Sequence, residues 1–144
     1  MVRSSVKLSR IWEDVEFFEL RTEFIGLACQ SYIDIYTTNE ELKELKEGIN
    51  NFSKFTENEF IWMSGTDDKD VSHFLLMRFF KLNNRGYVGI EILADNKEEK
   101  PYHMRSNFSI TTQISQLDDF TAKLEKLINE EISELESIIP EYEF

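Results

Sequence analysis

Carboxylates interleaved with tyrosines are the residues of this chain whose types and spacing could do chemistry. Glu19, Glu23 and Asp34 alternate with apolar neighbours, and so do Tyr32 and Tyr36. On two paired strands these five would share one wet face. There they would suit a protein partner rich in lysine and arginine, the carboxylates steering it and the phenols adding contact area. The plainer reading is an ordinary solvated sheet face, with Arg21 paired to a neighbouring acid. Arg105 and Asn107 are expected on the same face. A second acidic surface follows near the C-terminus, where Glu125, Glu130, Glu131, Glu134 and Glu136 surround Lys123 and Lys126. Read as one side of the last helix, these acids sit at the end where the helix dipole prefers cations.

Other reactive types lack the company that chemistry needs. His73 and His103 are the only histidines, and nothing in their spacing brings them to one metal. The run Thr66-Asp67-Asp68-Lys69-Asp70 lacks the spacing, central glycine and terminal glutamate of a calcium loop, and reads as a solvated turn. Gly86 and Gly89 have no third glycine and no phosphate-loop lysine. Glu19 and Glu23 could pair as acid and base, but an exposed strand favours solvation. No Gly-x-Ser-x-Gly elbow occurs, and no histidine lies near Cys29 in sequence. The single cysteine permits no intrachain disulfide and reads as a small core residue in Ile25–Cys29. No catalytic residue, cofactor or metal is expected.

Composition narrows the partner. The chain has 144 residues, 41% of them hydrophobic and 12 of them Phe, enough to fill the core of one domain. Its formal net charge of -12 disfavours a bare phosphate backbone and an anionic membrane, which both attract basic surfaces. It favours a basic protein, or simple solubility. No run approaches the ~20 apolar residues of a membrane span. The first seven residues have charge but no apolar signal core, so a cytoplasmic protein is expected.

The positioning elements follow from hydrophobic period. Residues 1–13 read as either an edge strand or a loose arm. Strands are expected from Val15 to Ile25, with Phe18, Leu20, Thr22 and Phe24 in one row, and from Leu27 to Thr37, with Leu27, Cys29, Ile33 and Ile35 inward. Thr38 or Asn39 caps a helix whose Leu42, Leu45, Ile49 and Phe52 form a stripe. Gly48 weakens that helix but permits close packing on a sheet. Strands then run from Glu59 to Met63, from Ser72 to Leu82 and from Tyr87 to Ala94, the last two joined by a turn at Asn83–Gly86. A strand from Met104 to Ile114 feeds a long helix, capped by Ser115 and carrying Leu117, Phe120, Leu124, Leu127, Ile128, Ile132 and Leu135 until Pro140 stops it. Residues 140–144 read as a tail. The predicted fold is one α+β domain over 1–144: an antiparallel sheet of six strands with both helices on one face, in the order ββαββββα.

The run Phe17–Phe24, then Tyr32–Tyr36 with its leucine-spaced helix, resembles small acidic α+β immunity proteins of bacterial polymorphic and contact-dependent toxin systems. The Phe74–Ala94 hairpin, followed by a strand and a helix ending in acids, carries the same likeness. It lies in layout and rests on no signature residue, so no family binding residues carry over. It implies a protein that inhibits a cognate toxin by tight binding. Many such toxins are nucleases with basic clefts, which fits the charge. The expected partner-binding residues are Glu19, Glu23, Tyr32, Asp34, Tyr36, Glu130, Glu131 and Glu134. The alternative is a non-enzymatic regulatory or scaffold domain that self-associates through an edge strand.

Overall fold

Period-two rows and two amphipathic helices assemble here into two sheets, not one. The structure is a computed structural model and describes residues 3–54, 57–68 and 71–139. The elements are β1 (Ser5–Glu13), β2 (Phe18–Ile25), β3 (Gln30–Thr37), α1 (Asn39–Ser53), β4 (Glu59–Gly65), β5 (Phe74–Lys81), β6 (Tyr87–Asp95), β7 (Arg105–Gln113), α2 (Ile114–Ile128) and β8 (Glu134–Ser137). One antiparallel sheet has the order β3-β2-β1-β8 and the other β4-β5-β6-β7. The class is α+β, as expected; the single six-stranded sheet is corrected to two sheets of four. The chain leaves β3 at Thr37 directly into α1, and among the described residues β4 then pairs only with β5. Hairpin periodicity reports neighbours in sequence, so it could not reveal this break.

The N-terminal segment is also corrected. β1 pairs with β2 on one side and with β8 on the other, so it is an inner strand rather than an edge or an arm. Val6 and Leu8 point into the core.

The second helix is shorter than its apolar spacing implied. Its N-cap is Gln113, which makes no capping hydrogen bond, and not Ser115. It ends at Ile128 because Glu130 turns left-handed, with φ 61°. The Glu130 amide donates to Leu127 O at 3.1 Å and the Glu131 amide to Lys126 O at 2.9 Å. That pair of bonds closes a Schellman cap, a role glycine usually fills. Glu134–Ser137 then alternates exposed and buried as β8. Glu130, Glu131, Glu134 and Glu136 therefore lie outside the helix, while Glu125 stays in its last turn. The tail 140–144 and Pro140 fall outside the described residues.

One core joins both sheets and both helices. Leu42, Leu45, Ile49 and Phe52 of α1 are fully buried, and Thr38 caps the helix by accepting from the Glu41 amide. Gly48 faces the Phe60 ring on β4 so closely that a Cβ there would lie 2.0 Å from it. α1 packs on α2 and β4, and α2 packs on β7 and β8, so the helices bind the two sheets together. The Leu27–Cys29 segment lies outside β3: a Gly26 N–H to Cys29 O bond of 2.8 Å closes a turn there. Leu27 and Cys29 are therefore exposed, not inward as expected.

Candidate partner-binding surface

Register across the first sheet decides which polar side chains meet. Glu19 lies opposite Tyr36, Arg21 opposite Asp34, and Glu23 opposite Tyr32. All five expected residues of β2 and β3 thus share the outer face. β1 continues the rows, with Lys7 opposite Glu23 and Ser9 opposite Arg21. β8 completes them, with Glu134 opposite Ser9 and Glu136 opposite Lys7. Among the described residues of this face, five carboxylates (Glu19, Glu23, Asp34, Glu134 and Glu136) meet two cations (Lys7 and Arg21).

Some of these charges are already satisfied. Arg21 grips Asp34 with two bonds, Nε to Oδ1 at 2.9 Å and Nη2 to Oδ2 at 3.0 Å, and its guanidinium lies 5.2 Å from the Tyr32 ring centre. The Asp34 bond and charge raise the Arg21 pKa. Glu134 accepts from Ser9 Oγ at 3.0 Å and pairs with Lys7 at 3.3 Å. That hydrogen bond, then the nearby negative charges, raises the Lys7 pKa. Glu19 accepts from the Tyr36 hydroxyl, and this bond is the main cause that raises the Tyr36 pKa.

Arg105 and Asn107 are not on this face: both belong to β7 in the second sheet. Arg105 instead anchors a separate network. Its Nη1 donates to Asp67 Oδ1 at 2.8 Å and to Asp95 Oδ2 at 2.9 Å, and its Nη2 to Asp67 Oδ2 at 2.9 Å. Lys97 reaches Asp67 at 2.7 Å, and His103 Nε2 lies 3.0 Å from Asp95 Oδ1. The Arg105 hydrogen bonds hold Asp67 well below the usual carboxylate range. Burial pushes Asp95 upward, but the Lys97 amide, Arg105 and His103 together pull it below its ordinary value. Thr66, Asp67 and Asp68 are exposed, in keeping with the solvated turn expected, and Asp67 alone of them is held by cations. His73 is buried 2.9 Å from Ser64 Oγ, and burial lowers its pKa. Among the described residues no cluster of three His, Cys, Asp or Glu side chains is arranged to hold a metal.

Trp12 and Phe17 were missed in the sequence. Val6, Leu8 and Arg10 face inward at period two, and continued parity would bury Trp12. A bulge between Arg10 and Trp12 shifts the register, placing Arg10 opposite Leu20 and Trp12 opposite Glu19. One extra residue flips everything beyond it to the other face. Trp12 is 49% exposed. Its ring centre lies 5.8 Å from that of Phe17, and Phe17 meets Tyr36 edge-on at 5.6 Å. With Ile11 and Glu19 these rings line an open groove of about 680 Å³. A parity break was visible in the pair Ile11-Trp12, two apolar residues in succession before a run of acids.

The last turn brings two further expected residues to the same end. Glu130 and Glu131 border a neighbouring groove together with Ile11, Trp12 and Glu13. Glu130 and Glu40 border another with Glu13, Asp14, Glu16 and Phe17. The tip of the β1–β2 hairpin is thus an aromatic cluster bordered by carboxylates, with Arg10 lining both neighbouring grooves and 3.6 Å from Glu13. No protein-family model, curated protein or solved structure matches the chain.

Proposed function

We propose that this protein works by binding a basic protein, as a toxin-neutralising immunity protein that masks a cognate bacterial toxin domain. The observation that carries the reading is the outer face of the first sheet, where four strands in register set five carboxylates against two cations, with Tyr32 and Tyr36 among them. Such a face attracts a basic cleft at long range and adds rigid contact area at short range. Binding, not catalysis, is the activity proposed, and no cofactor, nucleic acid or membrane partner enters it. Among the described residues no helix is long and apolar enough to cross a membrane. We place the protein in the cytoplasm, where it would meet the toxin. A complex of this kind buries ~1,600 Å².

Co-expression with the product of the adjacent gene tests the reading. Cells should survive that product only when this protein is present, and the two should co-purify. Charge reversal at Glu19, Glu23 and Asp34 together should slow association, and added salt should slow wild-type association in parallel. No rescue and no binding by any neighbouring gene product would end the toxin reading.

A second reading, a regulatory or scaffold domain that self-associates, draws on a different edge. β4 borders the second sheet and exposes Ile61 by 46% and Met63 by 58%. Edge strands with apolar side chains invite pairing with a second copy. Light scattering that shows a concentration-dependent dimer, abolished by Met63→Lys, would favour it.

A further inference from the structure

The outer face of the first sheet contains a completed cation site and, beside it, an incomplete one of the same composition. In the completed site the Arg21 guanidinium lies over the Tyr32 ring and is forked onto the Asp34 carboxylate. Further along the same two strands, Tyr36 and Glu19 repeat the ring and the carboxylate. Here Trp12 and Phe17 add two more rings, and among the described residues no basic side chain lines the groove they form. Guanidinium over a ring recurs in this protein: Arg10 lies 3.9 Å from the Phe18 centre and Arg78 lies 4.4 Å from that of Phe80.

We infer that the groove between Trp12, Phe17 and Tyr36 receives an arginine side chain of the basic partner, with its guanidinium against the rings and hydrogen-bonded to Glu19. The inference rests on the reading of a basic partner above and names where that partner is anchored. Three features select the occupant. The rings offer negative faces that attract a cation, most strongly at tryptophan. Glu19 supplies a carboxylate at the groove wall, and a neighbouring groove that shares Phe17 carries Glu13, Asp14 and Glu16 beside Arg10. An apolar side chain would leave Glu19 without a partner from the ligand, and an acidic one would be repelled. Arginine is chosen over lysine because a planar guanidinium stacks on rings and forks onto a carboxylate, whereas an ammonium is a compact, strongly hydrated charge.

The test uses the full chain and two synthetic twelve-residue peptides of equal charge, one alternating arginine with serine and the other lysine with serine. Binding is followed through the two indole N–H signals by NMR, with Trp12 assigned by Trp12→Phe and buried Trp62 as the internal reference. The arginine peptide should move the Trp12 signal, leave that of Trp62 in place, and bind roughly fivefold or more tighter than the lysine peptide. Trp12→Ala and Tyr36→Leu should each weaken the arginine peptide about tenfold and largely remove its preference over lysine. Glu23→Lys, outside the groove, should weaken both peptides alike. Equal affinity for the two peptides, unchanged by Trp12→Ala and Tyr36→Leu but lowered by Glu23→Lys, would overturn the arginine groove and leave the acidic face intact. If neither peptide binds, both the groove and the basic-partner reading fall.

Discussion

Arg10 donates to the carbonyl of Leu127 at 2.7 Å, reaching from the inner strand β1 to the last turn of α2. The same Nη2 donates to Asn39 Oδ1 at the start of α1, also at 2.7 Å. One guanidinium therefore joins a strand to the ends of both helices, and it meets α2 at the end where the dipole favours a cation. Its side chain is 6% exposed, so water replaces none of this cheaply. Arg10→Ala should cost about 2–3 kcal/mol, the range for hydrogen bonds to a charged group that leave a carbonyl unsatisfied. Arg10→Lys should recover only part of that, because one ammonium cannot reproduce the planar contact with Phe18. Urea unfolding of the two variants checks both statements.

Gly48→Ala should destabilise even though alanine is the better helix former by about 1 kcal/mol. The new Cβ would lie 2.0 Å from the Phe60 ring, which is itself stacked 5.8 Å from Phe79 and cannot simply retreat. The expected net loss is about 1–3 kcal/mol. In a Phe60→Ala background the same substitution should cost much less or become favourable. Additive costs in this double-mutant cycle would show that the ring is not what excludes the methyl group.

Glu130→Gly should stabilise the fold by about 1 kcal/mol, since the left-handed backbone there is unfavourable for any residue with a Cβ. Thermal unfolding measures the gain. If Glu130 also helps attract the partner, the same variant should bind it more slowly while melting higher. A fall in melting temperature would argue that the Schellman turn depends on the glutamate side chain.

Stability should fall with acid in two steps. His73 is buried, and its folded pKa lies below the ordinary 6.5. Between that ordinary value and its folded pKa the unfolded chain holds the extra proton, so stability rises with pH there. Lowering the pH from 7 to 5 should therefore reduce the urea midpoint, and His73→Gln should shrink that change. Asp67, Asp95 and Asp119 have folded pKa values below the ordinary 3.8. Their contribution is present above about pH 4 and is lost as the pH falls through the folded values. Arg105→Ala should flatten this lower step by releasing Asp67 and Asp95. An unchanged acid profile in that variant would assign the loss to other carboxylates.

Much of the site was legible because side-chain parity within a hairpin is a local property. Phe18, Leu20, Thr22 and Phe24 alternate with Glu19, Arg21 and Glu23, and that alternation alone put the acids of β2 on the wet face. The same logic held for Tyr32, Asp34 and Tyr36 on β3, and the leucine stripe of α1 was read correctly to the residue. It failed where a local pattern is compatible with two structures. Ile128, Ile132 and Leu135 fit helical spacing, and only the left-handed turn at Glu130 showed that Leu135 belongs to a strand.

The amino-acid order by itself determined both helices, the strands β2 to β7, most of their buried rows and the excess of negative charge, because period and composition act between near neighbours. Only the tertiary structure decided that β1 lies between β2 and β8, that the strands split into two sheets, and that a bulge after Arg10 turns Trp12 toward Glu19. Those outcomes depend on pairings between residues as distant as Lys7 and Glu136. Such pairings are settled by how two sheets and two helices fill one core together, and no window of neighbouring residues contains that competition.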